Sequence, residues 1–469
     1  MTKRFMDREV GMRLLKGLDL LVLIPFNFIL STLLVQSSNP QAPVLVGFEA
    51  LVAGFVATFC LRSFGLYEPR SLARPFNSLV KTFVTMAVST LIVAVLLRLA
   101  DVTLMAPWNQ VWVAGLLAYV AVSRIPFLAL FRDLDTSHHA RRIVIVGGGA
   151  AAEEAINTLE RSKGLDIEIV GLFDDRTDKR SPENIRRYRK LGKITDLAGY
   201  HREHPVDLII VAIPISAEQR LMQILKSIWE LPVDIRVSGQ AAQLKLSPRA
   251  YDYLGDLPLL AVFDRPLSAW NDFLKGVVDR IIAFAAIIAL SPVLAAVALA
   301  VRFESKGPVI FKQKRYGFNN ELIEVYKFRS MYTDKTDASA TKLVTKNDPR
   351  VTGVGRIIRK TSLDELPQLF NVLKGQLSLV GPRPHATQAK AAGGLYDEVV
   401  DGYFARHKVR PGITGWAQIN GWRGETDTVE KIAQRVKHDL EYIDRWSLGL
   451  DFYILMKTPL ALLKSENAY

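Results

Sequence analysis

Apolar residues in this chain come in long runs rather than in the alternation of a soluble protein's surface. Four runs fall before residue 132, and their spacing predicts helices near 17–37, 44–62, 80–99 and 108–131. About 20 apolar residues make a spanning helix, because a hydrocarbon core of roughly 30 Å is crossed at about 1.5 Å per residue. A fifth run, Ile281 to Val301, carries no charge and has Ser291-Pro292 at its centre.

Between these runs the pattern changes. "RRIVIV", "IEIVGLF", "VDLIIVAIP" and "VDIRVS" read as buried strands separated by helical stretches, which predicts a parallel sheet covered by helices over 140–262. Gly147, Gly149 and Ala152 follow the first strand with the G-x-G-x-x-A spacing of a dinucleotide fold, and Asp174 closes the second strand, where such folds hold a ribose. Beyond residue 301 the chain is rich in basic residues, glycine and proline. There "TSLDELPQLFNVLKG" reads as one helix, with Ser362 at the N-cap and Glu365 placed for a capping box. Leu366, Leu369, Phe370 and Leu373 form its apolar face, and Gly375 ends it.

Charge orients these segments. The chain has 469 residues and a net charge of +13, with 49% hydrophobic residues. Lys and Arg mark the cytoplasmic side of a membrane. They crowd before the first predicted helix, between the second and third, and after the fourth, while "QSSNPQAP" between the first and second has no charge. Everything after about residue 132 therefore begins in the cytoplasm. The fifth run has Lys275 and Arg280 before it and Arg302, Lys306, Lys312, Lys314 and Arg315 after it. Both flanks carry the cytoplasmic signature. Pro292 removes a backbone donor, and Ser291 can offer its hydroxyl to the freed carbonyl. The run thus predicts a re-entrant hairpin or broken helix, each arm roughly 15 Å long, about one leaflet. The single cysteine, Cys60, excludes an internal disulfide. The basic excess suits anionic lipid and phosphorylated substrates; with no nucleic-acid-binding motif present, nucleic acid is not an expected partner.

Asp364 and Glu365 are the candidate chemistry. Near a helix start and among Arg356, Arg359 and Lys360, a carboxylate stays ionised and so nucleophilic, and an adjacent pair can hold Mg²⁺ and through it phosphate. The competing reading is that Glu365 only caps the helix and Asp364 only complements its dipole.

From about Trp270 onward the sequence resembles the polyprenyl-phosphate hexose-1-phosphate transferases, monotopic enzymes that prime bacterial glycan assembly. "SPVLAAVALAVRFESKGPVIFKQKRYG", "KFRSM", "TSLDELPQLFNVLKGQLSLVGPRP" and "KVRPGITGWAQING" carry the resemblance in order over about 200 residues. "GWRGETDT" and "DLEYIDRWSL" resemble the members that transfer glucose phosphate to undecaprenyl phosphate. The resemblance implies a membrane α/β protein: four transmembrane helices in 1–135, a Rossmann-like, CoA-binding-like domain in 140–262, and a re-entrant helix with its catalytic domain in 268–469. It implies UDP-glucose and undecaprenyl phosphate as substrates, Mg²⁺ as cofactor, and the cytoplasmic face of the bacterial inner membrane as the place of reaction. It makes Asp364 the nucleophile of a two-step mechanism and Glu365 a Mg²⁺ ligand. Lys327, Arg329, Arg359, Arg383, Arg410 and Asp439 match positions used around the substrates.

Galactose or an N-acetylhexosamine would need only small changes in the pocket. A nucleotide-sugar dehydratase would leave about the last 200 residues unexplained, and a nucleotide-sensing assembly scaffold would not need an intact Asp364-Glu365 pair. The pattern does not fix the oligomeric state, and a homodimer stays open.

Overall fold

The computed structural model describes residues 8–34, 42–67, 75–99, 119, 140–162, 167–177, 181–214, 217–239, 252–333, 348–385, 390–391, 394–395, 400, 402–424 and 428–464. It divides into two compact units, Met1–His139 and Ala140–Tyr469.

The first unit holds helices α1 (Arg8–Leu34), α2 (Ala42–Ser63) and α3 (Pro75–Leu99). α1 and α3 begin earlier than the apolar runs predict, because their first turns are polar. Pro75 opens α3, where a missing amide costs nothing. Thr82 and Thr85 donate to the carbonyls of Ser78 (2.8 Å) and Lys81 (2.7 Å), so their hydroxyls are satisfied within the helix. The predicted fourth helix, 108–131, lies outside the described residues apart from Tyr119.

The second unit opens on an eight-stranded sheet. Its elements are β1 (Arg141–Val146), α4 (Ala150–Arg161), β2 (Ile167–Phe173), β3 (Asn184–Ile185), β4 (Tyr188–Gly192), α5 (Leu197–Glu203), β5 (Leu208–Val211), α6 (Glu218–Ile228), β6 (Asp234–Ser238), β7 (Asp252–Leu254) and β8 (Leu257–Phe263). The strand order is β3-β4-β2-β1-β5-β6-β8-β7. The five strands from β4 to β6 run parallel, as expected, and the antiparallel β3, β8 and β7 are added at the edges. Val144, Val146, Ile209 and Val211 fill one core, and Ile143, Ile145, Leu208 and Ile210 the other. Burial on both faces explains why these strands are unbroken apolar runs.

Next comes α7 (Ala269–Glu304), 36 residues long and capped by Ser268, whose hydroxyl accepts from the Asn271 amide. Among the described residues it is the one helix long and apolar enough to cross a membrane by length and composition. The sequence predicts a break at Ser291-Pro292, but the backbone stays helical through the pair. The hydroxyl of Ser291 donates to the Ile288 carbonyl at 2.8 Å. That is the carbonyl whose i+4 amide Pro292 removes, so the lost bond is replaced locally. Ala283, Val297 and Val301 are buried, whereas Ile281, Phe284, Ile288, Leu299 and Phe303 are exposed.

The remainder packs on α7. A hairpin of β9 (Ile310–Tyr316) and β10 (Leu322–Phe328) leads to α8 (Gly353–Lys360), a 3₁₀ turn (Leu363–Glu365) and α9 (Gln368–Leu373). β11 (Ser378–Val380) pairs in parallel with β12 (Gly412–Thr414), and α10 (Val429–Asp444) and α11 (Leu448–Lys464) close the domain. Ala283, Ile323, Val325, Leu369, Val372, Val380, Tyr442 and Ile454 share its core. The single helix predicted from Ser362 is split. Pro367 has no amide to donate and stands at the N-cap of α9, so the residues before it form a separate turn. Ser362 is left-handed (φ 58°) and makes no side-chain cap, and Glu365 is turned away from the cap. The capping box is therefore absent.

Candidate active site

Three elements converge on the 3₁₀ turn. Lys327 stands one residue before the end of β10, Arg359 one residue before the end of α8, and β11 runs into Gly381-Pro382-Arg383-Pro384. The Lys327 ammonium donates to Glu365 Oε1 at 2.8 Å. Arg383 donates to both Glu365 oxygens, at 2.5 Å to Oε1 and 3.2 Å to Oε2. Burial opposes a charge on Glu365, but Arg383 and Lys327 outweigh it and hold the carboxyl well below its ordinary range. Asp364, its neighbour, accepts no hydrogen bond from the described residues. Burial pushes Asp364 up; Lys327 pulls it down, the Glu365 charge pushes it further up, and Arg359 and Arg383 pull it down. The pair is thus divided: Glu365 is locked between cations, while Asp364 is a more basic carboxylate that no described residue engages by a hydrogen bond. Basicity raises nucleophilicity as long as the group stays ionised.

Two further arginines complete the site. Burial pushes Arg315 down to about 10; Arg383 adds to this, and the two carboxylates oppose it. Arg315 donates to the Pro384 carbonyl. Arg423 donates to the Ser362 hydroxyl at 2.7 Å, and it too senses Arg383, Glu365 and Asp364. Five cations therefore surround two carboxylates. Such an excess of guanidinium groups calls for an anionic ligand with several oxygens, such as a diphosphate.

The bacterial sugar transferase family matches residues 270–465, and a CoA-binding domain family matches 62–239. The UDP-glucose:undecaprenyl-phosphate glucose-1-phosphate transferase of Caulobacter vibrioides is 42% identical over 252 residues, which cover 54% of this chain and 87% of the relative. This chain belongs to the bacterial sugar transferase family. Two longer relatives agree. The undecaprenyl-phosphate glucose phosphotransferase of Komagataeibacter xylinus is 42% identical over 302 residues, 64% of this chain and 55% of the relative. The UDP-glucose:undecaprenyl-phosphate glucose-1-phosphate transferase of Escherichia coli is 39% identical over 305 residues, 65% of this chain and 64% of the relative. The chain thus spans between about half and two thirds of the length of these longer relatives.

In this family member the predicted residues fall into two groups. Lys327 and Arg383 touch Glu365, and Arg359 acts on Asp364 through space. The others face elsewhere. Arg329 donates to the carbonyls of Val301 (3.2 Å), Ser305 (2.6 Å) and Lys306 (3.1 Å), closing the C-terminal end of α7. Arg410 pairs with Asp272 at 2.6 Å, in the first turn of α7. Asp439 forms a buried pair with Arg406 at 2.6 Å, and Arg406 in turn donates to the Arg383 carbonyl at 2.6 Å. Asp439 therefore supports the site from beneath.

Sequence reasoning did not single out Arg406 or Arg423 and read Arg315 only as a flanking charge. Arg315 and Arg423 stand in the stretches "QKRYG" and "GWRGE", which carry the family pattern; nothing in the sequence marks Arg406.

The arrangement suits a hard divalent cation that keeps part of its water. Among the described residues Asp364 accepts no hydrogen bond, and Glu365 Oε2 takes a single one, at 3.2 Å. Among the described residues no three metal-ligating side chains converge, so phosphate oxygens and water would complete the shell.

In the middle domain, Gly147 (φ 109°) and Gly149 (φ 79°) make the expected turn, and Ala152 is buried in the first turn of α4. Asp174 is engaged by its own chain: Arg176 donates to it at 2.8 Å and also to the Gly148 carbonyl at 3.2 Å. A Cβ on Gly148 would lie 2.7 Å from Asp174 Oδ2. The space above the glycine turn is thus occupied by the Asp174–Arg176 pair.

Proposed function

We propose that this protein transfers glucose 1-phosphate from UDP-glucose to undecaprenyl phosphate, giving undecaprenyl-diphosphate glucose and UMP, as the priming step of an exopolysaccharide or capsule. The observation that carries the reading is the division of labour in the carboxylate pair: Glu365 is fixed by Lys327 and Arg383, while Asp364 beside it accepts no hydrogen bond from the described residues and is pushed up by burial. The names of the relatives support the substrates.

In the first step an Asp364 oxygen attacks the phosphorus that bears the sugar. The bond from that phosphorus to the bridging oxygen breaks, and UMP leaves with the electron pair. In the second step an oxygen of the lipid phosphate attacks the same phosphorus, and the Asp364 carboxylate is released. No net proton is needed. Taking two polyanions in turn avoids crowding both into one site. Arg383, Arg359, Arg423 and Lys327 bind and align the phosphate oxygens, which is most of what phosphoryl transfer requires. Mg²⁺, held by Asp364 and Glu365, would neutralise charge on the diphosphate.

The four apolar runs before residue 132 are read as membrane-spanning, which leaves the rest of the chain at the cytoplasmic face. α7 is read as bent at Pro292, entering and leaving one leaflet. What supports this is that both its ends bond to the same domain: Arg280 donates to the Leu373 carbonyl (3.3 Å), and Glu304 accepts from the Val354 amide (2.8 Å). A continuous crossing would separate those partners by the bilayer.

The test incubates purified protein with labelled UDP-glucose, UDP-galactose or UDP-N-acetylhexosamine and undecaprenyl phosphate, comparing wild type with Asp364→Asn. UMP and labelled lipid are expected from UDP-glucose with wild type alone. Equal turnover by the variant, or a preference for another sugar, overturns the corresponding part of the proposal.

A further inference from the structure

A short 3₁₀ helix, Tyr403–Lys408, links the middle domain to the active-site loop. Its centre is Arg406, fully buried. Arg406 donates to the Arg383 carbonyl (2.6 Å), contacts His385 Nδ1 (2.8 Å) and pairs with Asp439 (2.6 Å). Tyr403, at the start of the helix, meets His385 Nδ1 through its hydroxyl at 2.8 Å, with the two rings stacked at 5.9 Å. This short helix is thus the bed on which Gly381-Pro382-Arg383-Pro384 lies, and Arg383 is the residue that grips Glu365.

Both ends of the same helix press on the middle domain. At the N-terminal end Gly402 is left-handed (φ 72°), and a Cβ there would lie 2.5 Å from Cζ2 of Trp229, which follows α6. At the C-terminal end the Lys408 ammonium stands 5.1 Å from the Trp229 ring centre and 5.7 Å from that of Phe263, the last residue of β8. Burial pushes the Lys408 ammonium down, with Asp444 and Glu230 opposing. A partly buried cation over an indole is a contact worth more than a surface one. Trp229 therefore touches the helix at two points flanking Arg406.

We infer that the middle domain is a positioning device for catalysis: Trp229, clamped between Gly402 and Lys408, fixes the 3₁₀ helix so that Arg406 holds Arg383 on Glu365. This rests on the proposed transfer reaction, in which Arg383 acts on phosphate. It gives the domain a role independent of any nucleotide, consistent with a glycine turn covered by Asp174 and Arg176.

The test uses the full-length chain and measures UMP release from UDP-glucose with undecaprenyl phosphate for wild type, Trp229→Ala, Trp229→Phe, Lys408→Met, the Trp229→Ala/Lys408→Met double variant, and Arg187→Ala as an exposed control on the same domain. A small misplacement of a charge-bearing loop costs on the order of tenfold in turnover. Trp229→Ala is expected to lower kcat about tenfold, with the KM for UDP-glucose changed less than about twofold. Trp229→Phe recovers most of the loss, and the double variant is no worse than the poorer single one. Arg187→Ala is unchanged. The inference is overturned if Trp229→Ala keeps wild-type kcat, even with a lowered melting temperature, or if Arg187→Ala loses activity equally. Absence of UMP release from the wild type would instead sink the proposed reaction itself.

Discussion

Lys327→Met separates the structural role of one cation from its proposed catalytic role. The ammonium sits 2.8 Å from Glu365, with the two side chains 17% and 15% exposed. At that distance and an effective dielectric near 20, the gross attraction is about 6 kcal/mol. Its net worth to folding is far smaller. Burial pushes the Lys327 ammonium below its ordinary pKa, Glu365 and Asp364 oppose this, and Arg315 and Arg383 push it further down, so desolvation and the neighbouring cations together offset much of the attraction. Glu365 also keeps Arg383 as a partner in the variant. The expected loss of stability is therefore about 1–2 kcal/mol, below the roughly 3–5 that follows from leaving a buried charge alone. Catalysis should suffer more. A positioned cation at a transferring phosphate is worth about 100-fold or more in kcat. Thermal unfolding in detergent and UMP release, on the same preparations, give the two numbers. A fall in kcat of less than about threefold, or a stability loss above about 4 kcal/mol, would refute the reasoning.

Two other predictions follow from the same geometry. Glu365 titrates well below its ordinary range when folded, so it contributes stability above the unfolded value of about 4.3, and this is lost as pH falls toward the folded value. In Glu365→Gln the acid limb of the stability–pH curve should be shallower than in wild type; parallel curves would show that Glu365 is not the linked group. Ser291→Ala orphans the Ile288 carbonyl and should cost about 1 kcal/mol, and adding Pro292→Ala, which restores an amide, should recover it in thermal unfolding. No recovery would mean that the hydroxyl is not replacing the proline's missing bond.

How much of this was legible in the sequence depends on how local each cause was. β1, β2, β5 and β6 announce themselves because strands buried on both faces must be apolar throughout. The glycine turn was readable because only glycine accepts its dihedrals freely. Lys327, Arg383 and the Asp364–Glu365 pair come together as their motifs suggest. The failures share another cause. Ser362 and Glu365 have cap-like spacing, but Pro367 two residues on cuts the helix, and distant Arg423, Lys327 and Arg383 claim the two side chains. Arg329 and Arg410 match family positions used around the substrates, yet each is taken by an end of α7. Arg406, which is wholly buried, looks in sequence like any surface cation before a histidine. Its role appears only once the chain has folded it beneath Arg383.

The account's central claim is that Asp364 carries the phosphosugar between donor and acceptor. Its most direct measurement is mass spectrometry of peptides from wild-type protein quenched after incubation with UDP-glucose in the absence of lipid acceptor. The account predicts a hexose-phosphate adduct on the peptide containing Asp364, with UMP released in proportion and no adduct in Asp364→Asn. UMP appearing only when undecaprenyl phosphate is added, with no adduct at any time, would contradict it.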